Sequence, residues 1–304
     1  MAEEPILQQD LRQKAEDHHH LIWLWLLFLE PPERLAPQVF QDTLSERLGR
    51  VDIVTQEDSG LYSFAAREYP VEYQDGKVPA QLLLGKAEPF SPDGLSEMER
   101  SQLWDVRDSE EFLARCRYKL PICDFMASGL PYKDRCRLIN HWLETAFALF
   151  PTAVGLWVPS SGKLLDRERL LSNPLEGDDR FLWYGVNVRL FNIQGANDKV
   201  MDTLGMHAIG LPDVQLHFSG IDPDFVSSYL YNVASYLYDN NAPIKSGETI
   251  DGIDHQGRIV RDIQWDCQYE RALIQPARTL LNIRPGRFAA GKYHDSNTSH
   301  PKKY

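Results

Sequence analysis

Nine consecutive apolar residues, LIWLWLLFL at 21–29, break a polar N-terminal region. A membrane-spanning helix needs about 20 such residues. The stretch before the run is acidic, where an export signal is basic. The run therefore predicts a fully buried strand in a cytoplasmic chain. A helix is expected over 32–48, entered at Pro31-Pro32 and closed at Gly49. Strands follow at 51–55, 62–69 and 81–84, separated by turn signals at Asp58-Ser-Gly60 and Asp75-Gly76. This β-α-β-β order is half of a ferredoxin-like unit. A linker-like stretch at 88–94 precedes a helical segment over 95–116, within which Asp108-Ser-Glu-Glu111 reads as a first helical turn.

A second block begins with a strand at 118–126 and a helix at 131–150, whose apolar residues Leu138, Trp142, Ala146 and Leu149 recur at helical spacing. A strand at 153–158 completes a β-α-β order, which predicts a right-handed crossover between parallel neighbours. Strands are expected at 182–193, 200–206 and 214–218. A helix at 223–238 is capped by Asp222, and strands at 265–274 and 279–283 come last. The fold class is α+β: two ferredoxin-like or related α/β units in series, with mixed sheets and helices packed on one face. The division runs 1–17, a disordered leader; 18–115, the first unit; 116–286, the second; and 287–304, a disordered tail.

Charge refines this outline. The net charge is −12. Residues 1–120 hold 13 Lys and Arg against 23 Asp and Glu, so that part carries −10 of it. Such a field repels nucleic acid and anionic membranes and attracts a basic protein partner. The four cysteines, Cys116, Cys123, Cys136 and Cys267, form no CxxC pair and read as core thiols. His18-His-His20 offers weak metal ligands beside a buried strand and reads as an edge loop. Ser160-Ser-Gly-Lys163 lacks the first glycine and final hydroxyl of a phosphate loop and reads as a turn. No nucleophile elbow, zinc-protease signature or dinucleotide fingerprint is present, and no cofactor or metal is implied.

The richest chemistry lies in YGVNVRLF at 184–191, VMDTLGMHAIGLPD at 200–213 and VQLHF at 214–218. These words place Asn187, Arg189, Asp202, His207, Asp213 and His217 among residues that read as buried strands. Two carboxylates and two imidazoles hold a metal or perform hydrolysis when they converge. Their spacing argues otherwise, because Asp202 and His207 differ by five and face opposite sides of a continuous strand. The cluster is therefore expected to be structural, with Asp202 and Asp213 holding turns and Arg189 paired to an acid across strands. On the helix at 223–238, tyrosines crowd two faces, and Tyr231 and Tyr238 are the candidates for contact with a partner.

The same words resemble a bacterial family known as domain of unknown function 4261, most clearly over 118–285. The resemblance supplies no catalytic residues. It implies the setting of polymorphic toxin systems, and with it an immunity protein that neutralises a toxin by direct occlusion. The expected function is thus a non-enzymatic binding protein. The alternatives are a hydrolase built on the 187–217 cluster and a housekeeping scaffold.

Overall fold

The computed structural model describes residues 21–55, 60–173 and 175–291. The expectations for the 1–17 leader, the histidines at 18–20 and the turn at 58–59 lie outside the described residues.

Strand β1 (Trp23–Phe28) is the centre of the first sheet. Its apolar run is explained by cover on both faces. Leu24, Leu26 and Phe28 join the main core, while Leu27 points to a smaller one with Trp157 and Leu164. Helix α1 (Pro37–Leu48) starts five residues later than expected, with Pro37 in its first turn, and stops at Gly49, where φ is 74°. The strands that follow are β2 (Val51–Ile53), β3 (Tyr62–Tyr73), β4 (Gly76–Leu84) and the short β5 (Glu88–Pro89).

The expected helix at 95–116 is two helices. Helix α2 (Glu97–Arg100) carries a capping box between Ser96 and Glu99. Helix α3 (Ser109–Arg115) begins after Asp108, whose φ of 51° breaks any continuous helix. Strand β6 (Tyr118–Phe125), helix α4 (Tyr132–Leu149), strand β7 (Gly155–Val158) and strand β8 (Lys163–Asp166) follow.

The strand order is β2-β3-β4-β6-β1-β7-β8, with β5 also on β6. Both β6 and β7 pair antiparallel with β1, so they run parallel to each other in one sheet with β1 between them. They are not neighbours, as the local β-α-β order suggested, because β1 inserts from far along the chain. The inner order β4-β6-β1-β7 is that of a ferredoxin-like unit. Its second half is β6-α4-β7, so the division expected at 115–116 falls inside this sheet. Helices α1 and α4 lie side by side against it. The 88–116 segment covers the other face through Phe90, Leu103, Val106 and Leu113, so helical cover is not confined to one side.

Helix α5 (Arg167–Leu171) is capped by Asp166. Helix α6 (Arg180–Gly185) occupies part of the strand expected at 182–193, and strand β9 starts only at Asn187 (Asn187–Asn192). A buried apolar stretch such as FLWY lacks the periodicity that separates helix from strand. Strands β10 (Lys199–Leu204) and β11 (Asp213–Phe218) lead into helix α7 (Pro223–Asp239). Asp222 caps α7 by accepting from the Asp224 amide at 3.0 Å. Strands β12 (Thr249–Ile253), β13 (Ile259–Arg271) and β14 (Thr279–Arg284) complete the second sheet, ordered β12-β13-β14-β11-β10-β9. Two three-stranded meanders meet at the parallel pair β11–β14, joined by α7. This is a related α/β unit without the ferredoxin strand order. Of the tail expected from 287, residues 287–291 are placed: Ala289 bridges Phe218, and the Ser219 amide donates to the Phe288 carbonyl.

One continuous core contains residues from both sheets. A buried ion pair ties them at the junction. Asp124 on β6 accepts from the Ile22 amide and from Arg135 of α4, and Arg135 also donates to the Ala208 carbonyl between β10 and β11.

Candidate functional site

The second sheet has two unlike faces. Met201, Val214, Leu216, Leu281 and Ile283 point into the main core, on the side where α7 packs. Alternation puts their neighbours on the other side, and there the registered partners Arg189, Asp202, Gln215 and Asn282 form a polar row across four strands. An exposed polar face is ordinary for a half-covered sheet, but this one is closed. Asp202, Asp213 and Gln215 are fully buried and Arg189 nearly so.

The cover is the 272–278 loop between β13 and β14. Ile274 packs on Phe191 and Val200, and the Leu273 amide donates to Gln215 Oε1. Arg278 then turns back into the sheet. It donates to Asp202 Oδ2 at 2.8 Å, to Asp213 Oδ2 at 2.9 Å and to the Thr203 carbonyl at 2.8 Å. Arg189 grips Asp202 with two bonds, of 2.9 and 2.7 Å, and donates to the Gln275 carbonyl in the loop. Asp213 further accepts from Thr203 Oγ1, from the Met206 amide and from His207 Nδ1, the last at 2.8 Å.

Two buried guanidinium groups thus face two buried carboxylates, and Asp202 accepts three hydrogen bonds and Asp213 four. Burial alone would raise the Asp213 carboxyl; Arg278 and His207 outweigh it and bring it from an ordinary 3.8 to about 2. Burial likewise works against the Arg278 cation, and Asp213 and Asp202 more than restore it. Because Asp213 is ionised, it only accepts, so the His207 proton sits on Nδ1.

Of the six candidate residues, Arg189, Asp202, His207 and Asp213 share this network, and Asn187 stands beside it. The parity argument against Asp202 and His207 fails because the strand ends at Leu204. Gly205 follows at φ 137°, and a short helical turn over Met206–Ile209 brings His207 back to the polar side. Only glycine fits there: a Cβ would lie 2.1 Å from the Gly185 carbonyl oxygen. Asp213 holds this turn. Asp202, expected to hold a turn as well, sits inside β10, where its carboxylate accepts from Arg189 across the strands and from Arg278. His217 does not join them. It lies at the far end of β11, 3.5 Å from Asp198, where burial lowers its pKa and Asp198 opposes that.

Two clefts flank Asn187, whose amide donates to the Gln102 and Gly162 carbonyls at 3.4 and 3.3 Å. The first cleft, about 540 Å³, is lined by Arg189, His207, Ser160, Glu99 and the partly exposed Trp23. The second, about 610 Å³, lies between β8, β9 and α7 and is lined by Trp104, Trp183, Tyr231, Lys163 and Asp224. Gln102 seals the β9 edge beside it: its side chain accepts from the Leu190 amide and donates to the Leu190 carbonyl, as a neighbouring strand would.

Tyr231 lines the second cleft. Tyr238 is a correction. It is fully buried, its hydroxyl donates to Asp178 Oδ2 at 3.0 Å, and its ring packs edge-on against Tyr132, so it presents nothing to a partner. Tyr236 is the exposed tyrosine of α7. The turn at 159–162 joins β7 to β8 as expected. Arg278, Trp104 and Trp183 carry no local signal in the sequence, since each gains its role from partners more than 40 residues away or from a fold-dependent cleft.

All four cysteines are buried, and burial raises each thiol above its ordinary value. Among the described residues no group of three or more His, Cys, Asp or Glu is arranged to hold a metal, and no helix is long and apolar enough to cross a membrane. No curated protein and no solved structure matches the chain. Residues 202–284, which run from the acid at the centre of the buried network through the covering loop to the end of β14, match the family described as Domain of unknown function (DUF4261).

Proposed function

We propose that this protein acts by binding a partner and not by turning over a substrate. The observation that carries this reading is the closure of the polar cluster. Each carboxylate and guanidinium of the network is held by another member or by backbone, and Asp202, Asp213 and Arg278 fall within the family-matched segment. A group that must accept or deliver a proton needs access to substrate, and the two carboxylates line neither cleft. They fix the covering loop and the register of four strands.

The specific case is an immunity protein of the bacterial cytoplasm that neutralises a toxin by direct occlusion. A basic partner suits the net charge of −10 over residues 1–120. Among the described residues of that stretch the balance is 11 basic against 16 acidic. Association with such a partner slows as salt rises, because the field is screened beyond about 8 Å at physiological ionic strength.

One observation favours the alternative, a hydrolase. Asp213 orients His207, and His207 lines the first cleft, an arrangement that also serves a general base. Stoichiometry separates the two readings. Cells expressing a candidate toxin are titrated with this protein. Occlusion protects only near one molecule per toxin, whereas protection at a small fraction of an equivalent, abolished by His207→Gln, establishes the enzyme instead.

A further inference from the structure

The lining of the second cleft carries two carboxylates, Asp105 and Asp224, against one ammonium, Lys163. The ammonium is answered within the wall. Lys163 is 6% exposed; its Nζ lies 3.4 Å from Asp105 Oδ2 and donates to the Val186 carbonyl at 2.9 Å. Asp105 is further engaged by Arg169, at 2.9 Å. Asp224 stands apart. It is exposed on the first turn of α7 and makes no ion pair among the described residues. Capping does not occupy its carboxylate, because Asp222 caps this helix by accepting from the Asp224 amide. The cleft therefore holds one carboxylate that no side chain among the described residues neutralises.

The tryptophans of the cleft divide in the same way. The Trp183 ring already meets two cations, with centroid distances of 5.1 Å to the Lys163 nitrogen and 5.4 Å to the Arg169 guanidinium carbon. Trp104 meets none among the described residues, and at 60% it is the most exposed large hydrophobic side chain described. Its indole N–H donates to Gln102 Oε1 at 3.2 Å, which steadies the ring and leaves much of it to solvent. An open indole and an unpaired carboxylate in one cleft suit a cation, which the ring attracts through its quadrupole and the carboxylate through charge. A guanidinium meets both requirements best, because it is flat enough to stack on a ring and its fork donates two parallel bonds to a carboxylate. The volume of about 610 Å³ leaves room for such a side chain.

We propose that the cleft between β8, β9 and α7 receives an arginine side chain of the protein's partner, whose guanidinium stacks on Trp104 and pairs with the Asp224 carboxylate; this rests on the reading of the protein as a binder of a basic partner. Trp104 and Asp105 belong to the part of the chain, residues 1–120, whose net charge is −10, so long-range attraction and the local site favour the same kind of occupant. Tryptophan and arginine are also the residue types that most often anchor an interface.

The test uses the full chain and the amides of Nα-acetyl-arginine, Nα-acetyl-lysine and Nα-acetyl-citrulline, the last keeping the shape of arginine without its charge. Binding is followed by NMR at the indole N–H of Trp104, identified by its loss in Trp104→Phe. Physiological ionic strength screens loose attraction to the acidic surface. The arginine probe is expected to shift this signal saturably, with a millimolar dissociation constant. Citrulline is expected to bind about tenfold more weakly and lysine about twofold more weakly. Asp224→Asn, at an exposed position, is expected to weaken arginine by about threefold and to leave citrulline unchanged. The assignment is overturned if the three probes bind equally, if Asp224→Asn keeps full affinity for arginine, or if the Trp104 signal shows no saturable shift. The probe comparison needs no variant, so it decides even if Asp224→Asn fails to fold. Protection against a toxin near one equivalent, with no response to arginine, overturns the cleft assignment and leaves occlusion standing. A response to arginine with protection at a small fraction of an equivalent overturns occlusion and leaves the arginine site standing.

Discussion

The covered face of the second sheet and the wall of the Trp183 cleft both bury cations, and they do so in different ways. Under the loop, Arg189 and Arg278 meet Asp202 and Asp213 in equal number, at 2.7 to 2.9 Å. At the cleft, Lys163 and Arg169 divide Asp105 between them, and the lysine contact is longer, at 3.4 Å. A matched buried set is lost as a whole when one member is removed, because the remaining charges are stranded. The Lys163–Asp105–Arg169 set loses less, because Asp105 keeps the half-exposed Arg169 when Lys163 is removed.

The largest expected effect is at the matched set. Asp202→Ala leaves Arg189 facing no acid and Arg278 with Asp213 alone, and should cost about 3 to 5 kcal/mol in urea unfolding. A cost under about 1 kcal/mol would mean that the network does not hold the loop. Next is the turn that brings His207 to the polar side. Gly205→Ala introduces a Cβ 2.1 Å from backbone at a φ of 137°, and should cost roughly 2 to 3 kcal/mol. A variant of unchanged stability would show that the turn relaxes freely.

Acid should act on the same set. The folded Asp213 carboxyl lies near 2, below its ordinary 3.8. Its stabilisation is therefore present above the unfolded value and disappears as pH falls from about 4 to 2, on the order of 2 kcal/mol. Unfolding curves at pH 5 and pH 2.5 measure this. Curves that do not differ, after the exposed carboxylates are allowed for, would contradict the assigned ion pairs. The smallest effect belongs to the open wall. Arg169→Ala removes a half-exposed partner of Asp105 and should change stability by less than about 1 kcal/mol.

Much of this organisation is legible in the sequence, and the rest is hidden for physical reasons. The apolar run at 21–29, the amphipathic spacing of α4 and the Asp222 cap of α7 are local signals, and the elements they predict are present. What locality cannot supply is insertion. Nothing near β6 or β7 shows that β1 will lie between them, yet that decides the sheet. The polar cluster is visible as residue types, and the Arg189–Asp202 pairing follows from direct register between adjacent strands of the meander. Arg278 was invisible because its partners are 65 and 76 residues away. The parity separating Asp202 from His207 holds only for unbroken strand, and Gly205 breaks it. Tyr238 was misjudged because helical spacing gives two aromatic faces and α4 covers one of them through Tyr132.

The most direct test removes one buried cation from each region in the same way. Arg278→Met and Lys163→Met replace cations of nearly equal burial, 3% and 6% exposed, by an apolar chain that fills much of the same space. Equilibrium unfolding of the two variants, side by side in one buffer, reads the difference. The account predicts a loss of about 3 kcal/mol or more for Arg278→Met and a change within about 1 kcal/mol for Lys163→Met. Equal losses, or the larger loss at Lys163, would contradict it.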